Sequence, residues 1–120
     1  MGLDVFITKK KRTNIGYFRK VNFLVKFFEE KGFDVENQTP LEISKEDVND
    51  LLSRCEEVLN DHSKGPELLP TMDGFFFGST DYNSYYYKDV ESVRDYIKEQ
   101  LLSEFDTLED NESIYFETWY

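Results

Sequence analysis

The chain has 120 residues, 39% of them apolar and 17% aromatic, with a formal net charge of −11. That length suits one domain with a real core, and the acidity disfavours direct binding to a nucleic-acid backbone. One cysteine, Cys55, and one histidine, His62, exclude an intrachain disulfide and a Cys/His metal site. No apolar run reaches membrane-spanning length and the start lacks a basic-then-apolar leader pattern, so a cytoplasmic protein with no membrane partner is expected. The charge is uneven. Residues 1–20 hold six Lys/Arg against one acid, whereas residues 21–120 hold eight against 24.

Residues 3–8 alternate and are β-branched, which predicts a strand with Leu3, Val5 and Ile7 on one side. Lys9, Lys10, Lys11 and Arg12 then make a solvated basic turn. Asn14 reads as an N-cap and residues 15–31 as a helix stopped at Gly32, with Phe18, Val21, Val25 and Phe28 along one stripe. Residues 33–35 suggest a short strand. Ser44 with Asp47 three positions on resembles a capping box. Val48, Leu51, Leu52, Cys55, Val58 and Leu59 follow at helical spacing, which makes Cys55 a packed, inert thiol.

Residues 60–73 read as a loop that carries an exposed His62. Residues 75–77, three phenylalanines between Gly74 and Gly78, read as a short buried strand. Asp81 or Asn83 suits an Asx-turn. A third helix is predicted from residue 87 or 88 to residue 105, burying Val90, Val93, Ile97, Leu101 and Phe105. The aromatic residues 113–119 predict a closing strand that pairs with the first strand or with residues 75–77. The whole chain, residues 1–120, is expected to form a single α+β domain: a small mixed or antiparallel sheet of three to four strands packed with three helices.

No phosphate loop, nucleophile elbow or metal-ligand spacing is present, so an enzyme is disfavoured and no cofactor is expected. Asp81, then Asp73, would be the first carboxylates to test for a Mg²⁺ site. Met1-Gly2-Leu3-Asp4, Tyr17-Phe18-Arg19-Lys20-Val21-Asn22 and Gly74-Phe75-Phe76-Phe77-Gly78-Ser79-Thr80-Asp81-Tyr82 resemble motifs of a family of small proteins from bacteriophages and bacterial genomes. Val5 and Phe6 stand where that resemblance leads one to expect Met-Tyr. The resemblance implies a phage or prophage context in a bacterial host cell, where small accessory proteins bind and modulate host components. It carries no catalytic signature.

Arg19, Asn22, Ser79, Thr80, Asp81 and Tyr82 are polar residues inside these motifs. Two readings stand for them: a binding cleft, or a buried polar network in which Arg19 pairs with Asp81. Tyr82, Tyr85, Tyr86 and Tyr87 look exposed and suited to an interface. The expected function is that of a small acidic accessory protein that binds a host protein, in its extreme form as a mimic of nucleic acid. The alternative is a protein that binds a small molecule or nucleotide near Arg19 and residues 79–82, with Tyr85 and Tyr86 among the binding residues.

Overall fold

The structure, a computed structural model, describes residues 2–9, 13–74 and 76–120. Along them run β1 (Asp4–Lys9), β2 (Thr13–Arg19), α1 (Asn22–Glu30), β3 (Leu41–Ile43), α2 (Lys45–Asn60), the short α3 (Gly65–Leu68) and α4 (Ser84–Tyr96). A π turn (Ile97–Leu101), α5 (Leu102–Asp106) and β4 (Ile114–Trp119) complete the chain. The strands form one antiparallel sheet in the order β2-β1-β4-β3, so the fold is α+β.

Period-two alternation decides which way β1 faces. Val5 and Ile7 turn inward and are buried, and Ile7 lies opposite Phe116 of the terminal strand. The helices cover this inner face. Phe28 of α1 packs its ring 4.4 Å from that of Phe116, and both side chains are at most 1% exposed. Each such ring contributes about 1.5–3 kcal/mol by leaving water. The sheet, α1, α2 and α4 close so well that the gap among Ile7, Phe28, Val48, Val93 and Ile97 is only about 10 Å³.

In α2 the expected cap is present. Ser44 Oγ accepts from the Asp47 N–H at 3.1 Å, and the Asp47 carboxylate accepts from the Ser44 N–H at 3.0 Å. Val48, Leu51, Cys55 and Val58 form its buried stripe. Beyond α4 the helix widens into the π turn, in which Ile97 and Leu101 are both buried.

The first predicted helix is in fact two elements. Residues 15–19 belong to β2, and the helix begins at Asn22. Asn14 does not cap it; its Oδ1 accepts from the Gly16 N–H at 3.0 Å. Phe18 fits a helical stripe and a strand equally well, and pairing with β1 decides the matter: Val5 lies opposite Phe18 and Phe6 opposite Tyr17. β2 is an edge strand whose edge is blunted. A register shift falls at Ile7/Thr8, the Gly16 N–H is taken by Asn14, and Tyr96 Oη donates to the Ile15 carbonyl at 3.1 Å.

Residues 76 and 77 are not strand, and Phe75 lies outside the described residues. The Phe77 N–H donates to the Gly74 carbonyl at 3.1 Å, and the Phe77 ring folds back over Gly74, where a Cβ would come within 2.7 Å of it. The flanking glycines therefore permit a turn instead of bounding a strand. Residues 33–35 form no strand either; the chain instead meets β4 at a single bridge, Asn37 to Thr118. The third helix starts three or four residues earlier than expected, at Ser84, because Asn83 Oδ1 caps the Tyr85 and Tyr86 N–H groups. Of the basic turn, residues 10–12 lie outside the described residues.

Candidate functional site

Residues 70–74 and 76–83, between α3 and α4, have no regular structure yet are firmly tied. The Thr71 N–H donates to Tyr82 Oη at 3.0 Å, and Thr71 Oγ1 donates to the Thr80 carbonyl at 3.0 Å, which draws the ends of the loop together. Leu69 and Phe77 anchor it in the core. At its centre stands Asn22, the first residue of α1, only 3% exposed. Asn22 Nδ2 donates to the carbonyls of Phe77 and Ser79, both at 3.0 Å, and Oδ1 accepts from the Met72 N–H at 3.0 Å. Tyr86 supports the same loop from α4: its hydroxyl donates to the Leu69 carbonyl at 2.7 Å, and Tyr82 packs edge-on against its ring. Burial pushes the Tyr86 hydroxyl pKa well up, so it stays a donor.

Held this way, the loop, the β2–α1 junction and the start of α4 enclose an open cleft of about 220 Å³. Arg19 and Lys20 border it from the junction, Ser79 and Asp81 from the loop, and Tyr85 and Asp89 from α4. Asn22 and Tyr86 also reach its wall, whereas Thr80 and Tyr82 do not line it. Tyr85 and Asp89 are one helical turn apart and therefore share a face. A helix beginning at residue 87 or 88 contains Asp89 but not Tyr85, so that relation is not apparent from the sequence.

The electrostatics of the cleft are unusual for so small a space. Arg19 and Asp81 form no ion pair with each other, and among the described residues Arg19, Lys20, Asp81 and Asp89 enter none. Asp89 is half-buried, and that burial raises its carboxyl pKa above the usual value. α1 opens here with no side-chain cap, and neither α1 nor α4 has an acid in its first turn. At the same place Lys20 holds a left-handed backbone conformation uncommon for a residue with a side chain. Lys20 has φ +58° and Gly78 φ +86°, and a Cβ on Gly78 would come within 3.1 Å of Lys20 Cβ. Non-glycine residues held at positive φ concentrate at functional sites.

The tyrosines divide. Tyr85 is 77% exposed, Tyr86 is buried, and Tyr82 and Tyr87 are half-buried, so the expected four-tyrosine surface reduces to one ring. His62 stacks on Tyr87 at 3.7 Å between ring centroids. Cys55 is fully buried and its thiol pKa is pushed up to about 12, which leaves it unreactive. Among the described residues no three His, Cys, Asp or Glu side chains come together as a metal site would require. A second surface lies on the outer sheet face, where Phe6 sits between Tyr17 and Trp119 with ring centroids 5.3 and 6.3 Å away.

No family model, curated protein or solved structure matches the chain.

Proposed function

We propose that the protein binds a small molecule bearing an anionic group in the cleft between the β2–α1 junction, residues 78–83 and α4. The observation that carries this reading is that Arg19 and Asp81 border one open cleft without pairing. Both side chains are exposed, so neither needs the other to offset burial and each stays open to a ligand. Arg19 and Lys20 are both exposed and uncommitted among the described residues, so holding them costs the fold nothing that a ligand would need to recover. Their charge stands beside an uncapped helix start, an arrangement suited to a carboxylate or phosphate.

Replacing Arg19 and Lys20 together by Gln is expected to weaken binding of inorganic phosphate about tenfold, read by NMR titration, with Tm unchanged. Unaltered affinity would contradict the reading.

A second reading keeps the role of an acidic, phage-type accessory protein that docks on a host protein. It is favoured by the exposed aromatic rings of the outer sheet face, Tyr17 at 49% and Trp119 at 41%. In pull-downs from bacterial lysate, a Tyr17→Ser, Trp119→Ser double variant should lose a partner that the unaltered protein retains. A partner held equally by both would place docking elsewhere.

A further inference from the structure

Resting on the cleft reading, we infer that the ligand is two-ended, a phosphorylated ribose compound of the nucleoside 5′-monophosphate class. Its phosphate would sit at Arg19 and Lys20, its sugar hydroxyls at Asp81 and Asp89, and its base on Tyr85.

The cleft is not a simple anion site. Two cations enter it from the β2–α1 junction, but two carboxylates enter from the loop and from α4. A free anion would gain from the first pair and be repelled by the second. A molecule with a phosphate at one end and hydroxyl donors at the other satisfies both. Carboxylates accept several hydrogen bonds each, which suits neighbouring sugar hydroxyls. Asp89 makes this argument most strongly. It is half-buried at the cleft wall, with no ion pair or hydrogen bond among the described residues to offset its loss of water. A ligand hydroxyl would supply that bond. Tyr85 stands on the same face one turn earlier, 77% exposed, and its ring is free to stack on a base.

Calorimetric titrations with the four nucleoside 5′-monophosphates, ribose 5-phosphate, adenosine and inorganic phosphate test this on the full chain. At least one nucleotide should bind about tenfold or more tightly than inorganic phosphate and than adenosine. Replacing Asp81 and Asp89 together by Asn should weaken nucleotide binding about tenfold while leaving inorganic phosphate as strong or stronger, and should not lower Tm. Should inorganic phosphate bind as tightly as every nucleotide, or the double variant keep its nucleotide affinity, the two-ended ligand is overturned while the cleft stands. Should none of the compounds bind, both the ligand class and the cleft reading fail.

Discussion

Asn22→Ala is expected to destabilise the protein by about 3 kcal/mol, on the order of 10 °C in Tm. One amide serves three backbone groups: the carbonyls of Phe77 and Ser79 and the N–H of Met72. The site is buried, so truncation leaves these groups without partners and admits little water in exchange. Each loss costs about 1 kcal/mol net, and more where the orphaned group stays dry. The loop that forms one side of the cleft is held by these bonds, so ligand affinity should fall with stability. Urea unfolding measures the effect; a loss under about 1 kcal/mol would show that Leu69 and Phe77 anchor the loop alone.

Gly16→Ala is the second large effect, expected to cost about 2 kcal/mol. A Cβ at this edge-strand position would overlap the Tyr96 ring, 3.0 Å from Cε1 and nearer still to the hydroxyl end. Tyr96 cannot easily retreat. Its hydroxyl is bonded to the Ile15 carbonyl, and its ring meets Phe18 edge-on at 5.5 Å. The overlap predicts strong coupling: in a Tyr96→Leu background the added methyl should cost at least about 1 kcal/mol less. Additive losses in the double-variant cycle would contradict the contact. This packing covers the β2 edge at Ile15 and Gly16.

Local signals carried much of the fold. The Ser44/Asp47 box and the stripe from Val48 to Val58 need only neighbours in sequence, and they read correctly. The first and last strands were legible from alternation, and their pairing follows from sharing one buried face. Where the reading failed, distant contacts decided. Phe18 satisfies two periods, and only its position opposite Val5 makes it strand. Residues 76 and 77 look like a core strand by composition, but the Phe77 ring closing over Gly74 turns the chain instead.

The cleft was partly visible. Arg19, Asn22, Ser79 and Asp81 stand inside two separated motifs, and the structure brings them to one cleft. Their roles were not visible: Asn22 positions the loop, and the absence of an Arg19–Asp81 pair is a matter of geometry. Asp89 does not stand out in the sequence, because Tyr85 and Asp89 fall on one face only when the helix begins behind the Asn83 cap.

The most direct test of the cleft is ¹H–¹⁵N chemical-shift mapping during titration with inorganic phosphate and with a nucleoside 5′-monophosphate. The cleft predicts saturable shifts concentrated at Arg19 to Phe23, Gly78 to Asn83 and Tyr85. Shifts confined to the basic run around Lys9 and Thr13, growing without saturation, would mark mere charge attraction and contradict it.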